Sequence, residues 1–399
     1  MRFNQPCQVP GATLPRALRI LVAATAVVVA LAASSARADL PSDLGPGPTV
    51  LTLPVPAPKH WVWVNDFVFA HMADGMAYLV DADNGRYLGT LSTGYSFEVL
   101  ALSRDGKLIY SPETYFSRGT RGTRTDVVTI YDASTLAPVG EIPIPAKRAS
   151  NMPNTGNAVL TEDGRFLLVF NFNPGSSVTV VDTVSRQFVG EIETPGCALI
   201  YPTGPRTFFT LCGDGGALVV ELDEHGAAAR QARTGRLFDI DKDPITEKGV
   251  HIGATWYFVT FDGRVVPIEA SQGTVRAGDS WWLTSKAERA QGWRPGGLQQ
   301  LAVHAGENRL YAIMHQGSRD THKDPGKAVW VYDLATRHRV LSIATPGYVS
   351  SIQVSTDNAP LLYGIFIEGT DLYVFDAHTG RLRRTIDHIG TSPTLIVTP

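Results

Sequence analysis

The sequence predicts an all-β fold, a seven-bladed β-propeller of four-stranded antiparallel blades with the ring closed by pairing N- and C-terminal strands in one blade. Three observations carry this expectation. A strand–turn–strand unit, in which an apolar strand ends in Asp and a short polar turn leads to a second apolar strand, recurs seven times. A second hairpin precedes most copies, so that each unit of 40–50 residues supplies four strands, the pattern of a propeller blade. No helical crossover of the kind that parallel strands require separates the copies.

Taken in order, residues 1–38 stand apart. Arg2, Arg16 and Arg19 precede an apolar run from Ile20 to Ala33, and Ala36-Arg37-Ala38 supplies a small-residue cleavage site. That is the layout of a secretory signal peptide cut after Ala38. The apolar run is shorter than the ~20 residues that span a bilayer, and no later stretch approaches that length, so an exported, soluble chain without a membrane span is expected. Residues 39–58 hold six prolines and little periodic hydrophobicity. They read as an extended, partly polyproline-like arm, able to lie on a partner or to float free. Residues 59–399 are the propeller domain.

Within that domain the clear copies are Tyr78-Leu-Val-Asp81, Ile130-Tyr-Asp132, Val180-Val-Asp182, Val331-Tyr-Asp333 and Val374-Phe-Asp376, each followed by its second strand. Leu218-Val-Val-Glu-Leu222 and Val265-Val-Pro-Ile268 are degenerate copies that complete the seven. The Asp has a physical reason to recur, because its short side chain bonds backbone amides two residues on and closes the turn. The preceding hairpins show best where Asp-Gly separates two apolar runs, as at Asp105-Gly106 and Asp163-Gly164. The helical exception is Leu283 to Gln291, rich in Ala, Glu and Lys, which predicts a short surface helix stopped near Gly292 and Pro295. At the two ends, Thr394-Leu-Ile-Val-Thr398 matches the first strand of a unit and His60-Trp-Val-Trp-Val64 the second. The two termini are therefore expected to share one blade, which leaves no exposed edge in the ring.

Composition narrows the function. The chain has 399 residues, 44% hydrophobic, which suffices for a large core and excludes intrinsic disorder. Loss of the first 38 residues removes four arginines and no acid, leaving 31 basic against 38 acidic residues and a net charge of −7. No basic footprint for nucleic acid exists. Cys7 leaves with the leader, and the remaining pair, Cys197 and Cys212, reads as a disulfide in an exported chain, with two free thiols as the alternative.

Little in the chain carries chemistry of its own. No phosphate loop, G-x-S-x-G or H-E-x-x-H occurs. His304, His315 and His322 are spaced by 11 and 7 residues, which matches no common ligand pattern, and no metal is expected. Arg118, Arg121 and Arg124, at intervals of three with glycines between them, form either a solvated loop or a docking site for an acidic partner, since arginine forks bind carboxylates bidentately. Trp281, Trp282 and Trp293 suit either an interface patch or packing between blades.

Four segments are more specific than any repeat. They are Gly196-Cys197 with Tyr201-Pro-Thr-Gly-Pro-Arg-Thr-Phe-Phe209 and Cys212-Gly-Asp-Gly; Phe116-Ser-Arg-Gly-Thr-Arg-Gly-Thr-Arg-Thr-Asp126; Ala287-Glu-Arg-Ala-Gln-Gly-Trp-Arg-Pro-Gly-Gly297; and Thr321-His-Lys323 before Val329-Trp-Val-Tyr-Asp333. Together, in order along nearly the whole mature chain, they resemble the heavy (large) subunits of the tryptophan tryptophylquinone (TTQ)-dependent amine dehydrogenases. That family comprises the methylamine and the aromatic (aralkylamine) amine dehydrogenases.

The resemblance implies a periplasmic assembly of two heavy and two light subunits that oxidatively deaminates a primary amine to aldehyde and ammonia. The light subunit would carry TTQ, made from two of its own tryptophans, together with the catalytic residues. Electrons would pass to a small blue copper protein of the azurin or amicyanin kind. The heavy subunit would be a scaffold that shapes the substrate entrance, with no catalytic residue, cofactor or metal of its own. In the methylamine enzymes a Gly-Gly-Phe segment after the first blade's outer strand puts its Phe at the channel. The matching segment here is Thr93-Gly94-Tyr95, followed by Ser96-Phe97. Tyr95 and Phe97 are thereby implied as substrate-channel residues, against the reading of Tyr95 as an ordinary loop aromatic. Tyr in place of Phe resembles the aromatic-amine branch, as do Cys212-Gly-Asp-Gly-Gly216 and Thr321-His-Lys323. The competing reading is an exported propeller that acts as a binding or scaffold module without an enzymatic partner.

Overall fold

Valine, isoleucine, leucine and aromatic residues fill the repeats, and such side chains suit a pleated surface buried on both sides. Phe166–Asn171 and Ser177–Asp182, for example, are buried along their whole length. The computed structural model describes residues 51–97, 100–148, 152–271 and 273–399. The expected signal peptide and the arm as far as Val50 lie outside the described residues.

Among the described residues the strands form seven antiparallel sheets, the blades of a propeller. Blade 2 shows the plan, with Ala101–Leu102, Leu108–Phe116, Arg124–Asp132 and Pro138–Ile144 paired in chain order. Blade 3 starts at Ala158–Leu160, blade 4 at Cys197–Gly204, blade 5 at Val250–Ile252, blade 6 at Leu301–His304 and blade 7 at Ser351–Val354. First strands of successive blades touch one another around most of the ring, so they surround the axis and the fourth strands form the rim. The two degenerate repeats are the third strands of blades 4 and 5, Ala217–Leu222 and Arg264–Ser271.

Blade 1 closes the ring as the sequence predicts. Its strand order runs from Pro393–Val397 through Trp61–Asp66 and Gly75–Asp81 to Arg86–Gly94, so the last strand of the chain is the innermost strand of the first blade. Val64 pairs with Ile396 and Trp63 with Val397. The Gln299 side chain, entering blade 6, reaches Ile396 with both ends: its Oε1 accepts the Ile396 N–H at 2.8 Å and its Nε2 donates to the Ile396 carbonyl at 3.0 Å.

The repeat aspartates sit where the third strand turns into the fourth. Asp132 Oδ1 accepts Ser134 N–H at 2.9 Å, Asp182 Oδ1 accepts Val184 N–H at 2.8 Å, and Asp333 Oδ1 accepts Thr336 N–H at 2.8 Å. The Ser134 hydroxyl beside Asp132, and the Thr336 amide beside Asp333, hold these carboxyls below the usual carboxylate range.

Two departures from the sequence reading have local causes. The surface helix is shorter than predicted, Lys286–Ala290 rather than 283–291, because Ser285 caps it. Ser285 Oγ accepts Glu288 N–H at 3.2 Å while Glu288 Oε2 accepts Ser285 N–H at 2.8 Å, a reciprocal capping box. Blades 5 and 6 also gain short extra strands, Trp281–Trp282 and Trp293–Pro295, on either side of that helix. The described end of the arm lies against the propeller. Leu53 donates its N–H to the Ser134 carbonyl at 2.8 Å, and Leu53 and Ala57 pack on the apolar cluster between blades 1 and 2.

Candidate functional site

Antiparallel order places connections alternately at the two ends of every blade. Turns from first to second and from third to fourth strand, including the repeat aspartates, lie on one face. Loops from second to third strand, and the crossovers to the next blade, lie on the other. Tyr95 and Phe97 belong to the crossover from blade 1 to blade 2. Arg118 and Arg121 belong to the second-to-third loop of blade 2, and Cys197 and Cys212 stand at strand ends of blade 4. The sequence-derived candidates therefore share the crossover face.

The local backbone explains how Tyr95 is presented. Gly94 ends the outer strand of blade 1 with φ +56°, and a Cβ there would lie 2.8 Å from the Tyr115 ring. Only glycine meets both conditions without cost. Tyr95 then bridges to blade 2, with its N–H donating to the Thr114 carbonyl at 3.1 Å and its carbonyl accepting Thr114 N–H at 3.2 Å. Its ring is half-buried and tilted against Phe97, with centroids 5.5 Å apart, and its hydroxyl donates to Met72 Sδ at 3.8 Å.

Phe97 is buried, 4.8 Å from the Phe67 ring and 6.4 Å from Phe69, and clusters with Leu395 of the closing strand. It supports Tyr95 from beneath, whereas Phe69 is exposed above. Phe67, Phe69 and Met72 come from the loop after Trp61–Asp66 and were missed in the sequence. The aromatic pair Phe67-Val-Phe69 immediately after an apolar strand was the available signal. Other large apolar side chains left exposed on this face are Met152, Phe172 and Tyr348.

One of the three arginines is paired within the chain. Arg124 makes a bidentate pair with buried Asp126, Nε to Oδ1 and Nη2 to Oδ2 both at 2.7 Å, and Nη2 also donates to the Arg148 carbonyl at 3.1 Å. Its fork is used within the chain, while Arg118 and Arg121 are exposed on the loop. Cys197 and Cys212 lie directly opposite each other in the first two strands of blade 4 and form a disulfide.

The histidines do not converge. His304 Nε2 meets the Asp357 carbonyl at 2.8 Å, His315 Nε2 meets Thr321 Oγ1 at 2.8 Å, and His322 stacks on Phe261 with centroids 3.7 Å apart. Burial lowers both the His315 and the His322 imidazole. Among the described residues no group of three or more His, Cys, Asp or Glu is placed to hold a metal. Trp281 packs on Tyr332 and Trp293 on Trp330, all within the apolar cluster between blades 5 and 6, and Trp282 lies beneath the Arg264 and Arg289 guanidiniums.

A cavity of about 380 Å³ on the propeller axis adds ionisable groups the sequence did not flag, among them Lys248. It is buried, its Nζ donates to the Gly297 carbonyl at 3.0 Å, and burial pushes the ammonium down to about 8.

Comparison with known proteins agrees with this architecture and adds a family. The family profile described as methylamine dehydrogenase heavy chain (MADH) matches residues 59–399. The methylamine dehydrogenase heavy chain of Methylophilus methylotrophus is 30% identical over 339 residues, covering 84% of this chain and 82% of the relative. That of Methylorubrum extorquens is 29% identical over 398 residues, covering 96% and 94%. Among solved structures, a functionally unknown protein from Desulfotomaculum acetoxidans aligns with TM-score 0.58 at 11% identity, over 85% of this chain and 98% of that one. The β-propeller domain of Myceliophteria thermophila Cps50 aligns with TM-score 0.51 at 12% identity, over 84% and 96%. At such identities the structural likeness speaks for the fold alone.

Proposed function

The chain belongs to the methylamine dehydrogenase heavy chain family, and from that premise we propose that it is the non-catalytic heavy subunit of a periplasmic quinoprotein amine dehydrogenase. In this reading residues 1–38 are a cleaved export signal and two heavy chains assemble with two light chains. The light subunit's TTQ supplies the two-electron oxidation of a primary amine to aldehyde and ammonia, and a small blue copper protein of the azurin or amicyanin kind accepts the electrons.

This chain contributes shape and position. The observation that carries the proposal is the crossover face, which holds the aromatic cluster of Phe67, Phe69, Tyr95 and Phe97 and, on loops of the following blades, exposed Met152 and Phe172. Exposed Phe69, Met152, Phe172 and Tyr348 on that face suit a protein partner, and the family premise makes the light subunit that partner. Tyr95, half-buried with its hydroxyl turned to Met72, forms one wall of the substrate entrance, and Phe97 fixes it from below. An aromatic wall with a polar tip favours an aralkylamine over a short aliphatic amine, because ring–ring contact adds about 0.5–1.5 kcal/mol beyond area burial. Arg118 and Arg121 offer exposed guanidiniums to an acidic partner surface, whereas Arg124 is committed to Asp126.

The test is co-expression with a candidate light-subunit gene, encoding a small Cys-rich chain with two tryptophans available for crosslinking, and purification from periplasm. A co-purifying light chain, quinone absorbance and amine-dependent dye reduction are expected. A heavy chain that purifies alone, with neither absorbance nor dye reduction, leaves only the scaffold reading. Replacing Tyr95 by Ala in the active complex is expected to change the ratio of benzylic to short aliphatic turnover, and an unchanged ratio removes Tyr95 from the channel.

A further inference from the structure

A buried guanidinium stands directly behind Tyr95. Arg148 lies in the crossover from blade 2 to blade 3 and is 1% exposed. Its Nη2 donates to the Tyr95 carbonyl and, at 2.8 Å, to Thr114 Oγ1. Its own backbone is held by the same neighbours, since its N–H donates to Asp126 Oδ2 at 3.2 Å and its carbonyl accepts Arg124 Nη2 at 3.1 Å. Thr114 Oγ1 in turn donates to Asp126 Oδ1 at 2.8 Å. One connected network thus runs from Arg124 through Asp126 and Thr114 to Arg148 and ends on the main chain of Tyr95.

Burying a guanidinium is costly unless its donors find acceptors and its charge an opposite charge. Here one acceptor is the peptide that carries the aromatic side chain, and another is the Thr114 hydroxyl. On the other side of the same segment the Tyr115 ring lies against Gly94, fixed by its hydroxyl donating to Glu113 Oε2 at 2.6 Å. The Gly94–Tyr95 segment is therefore held by side chains from blade 2 and from the crossover that follows it. A ring whose backbone is gripped in this way holds one position, and a wall that discriminates substrates by size depends on such support.

The geometry points to Arg148 as a positioning residue for amine selectivity, acting through the main chain of Tyr95. This rests on the reading of Tyr95 as a channel residue and adds the group that fixes it. The complex carrying Arg148→Met, Arg148→Lys, Tyr95→Ala or the Arg148→Met/Tyr95→Ala pair is assayed with a benzylic and a short aliphatic amine, and kcat and KM are determined for each. Arg148→Met is expected to shift the ratio of the two kcat/KM values roughly tenfold, within the range that small changes in a pocket produce. The shift has the same direction as that of Tyr95→Ala, Arg148→Lys recovers part of it, and the double variant goes no further than Tyr95→Ala alone, the signature of two groups acting as one unit. If Arg148→Met does not fold, Thr114→Val, which removes one acceptor of the guanidinium, carries the same expectation at a few-fold shift. A ratio moved by Tyr95→Ala but by neither Arg148→Met nor Thr114→Val, or a proportional loss with both amines, overturns the positioning role and leaves the channel reading standing. A ratio that Tyr95→Ala itself does not move removes the channel reading, and the positioning role with it.

Discussion

The Asp66 carboxylate accepts the backbone N–H of Thr391 at 2.6 Å, joining residues 325 apart in the chain. It also accepts the N–H of Ser392 at 3.0 Å and that of Val68 at 2.8 Å. Asp66 ends the second strand of blade 1, and Thr391 and Ser392 lead into Pro393–Val397, so one buried side chain sets where the closing strand enters the ring.

Replacing Asp66 by Ala is expected to lower stability by about 3 kcal/mol, because buried amides left without an acceptor cost ~1–3 kcal/mol each and partial relaxation recovers some of that. Asp66→Asn, which keeps one acceptor oxygen, is expected to lose less. Chemical denaturation of the heavy chain reads both, and a parent-like midpoint for the alanine variant would show that the ring closes without this clamp.

The disulfide closes a loop with a sequence separation of 15. On chain-entropy grounds Cys197→Ser is expected to cost about 3 kcal/mol, chiefly by freeing the unfolded chain. Thermal melts with and without reductant give the comparison, and identical curves would contradict a stabilising role.

Lys248 has a definite pH signature. Its folded ammonium is lowered from 10.5 to about 8, so below that pH the fold bears the cost of a buried charge, and the cost fades as pH rises from about 8 to 10.5. Lys248→Met should therefore stabilise the chain at pH 7, by about 2 kcal/mol once the lost hydrogen bond to Gly297 is counted. The advantage should vanish near pH 10. A difference that stays constant between the two pH values would mean that Lys248 is not disfavoured as an ammonium.

The fourth residue after each repeat aspartate adopts positive φ: Gly85 and Gly380 in blades 1 and 7, but Leu136, Arg186 and Arg337 in blades 2, 3 and 6. A left-handed residue with a Cβ costs about 1–2 kcal/mol, part of which glycine returns through its larger unfolded-state entropy. Arg337→Gly, at an exposed turn, is expected to raise stability by roughly 0.5 kcal/mol. A measured loss would mean that the arginine side chain contributes more than its backbone conformation costs.

Much of the fold is legible in the sequence because its signals are local. Asp132 and Asp333 bond amides two or three residues away, the hairpins alternate within a dozen residues, and the same unit returns seven times. The degenerate repeats of blades 4 and 5 were readable only because their neighbours set the period. The helix at Lys286–Ala290 was placed correctly but drawn too long, since a capping box rather than composition sets its start. The arginine triplet illustrates the limit: its spacing suggests one function for three residues, yet Arg124 alone meets a buried carboxylate.

By itself, the sequence determined the number of blades, the turn chemistry and the shared blade at the termini. Each follows from hydrogen bonding and burial over short stretches, repeated along the chain. The bond between Cys197 and Cys212 rests on their facing positions in adjacent strands. Only the tertiary structure decided that Phe97 lies beneath Tyr95, that Phe67 and Met72 come from a neighbouring loop, and that Arg148 grips the Tyr95 carbonyl across 53 residues. Those contacts join loops and crossovers within and between neighbouring blades, where no periodicity constrains the side chains and only the packing of the blades brings them together.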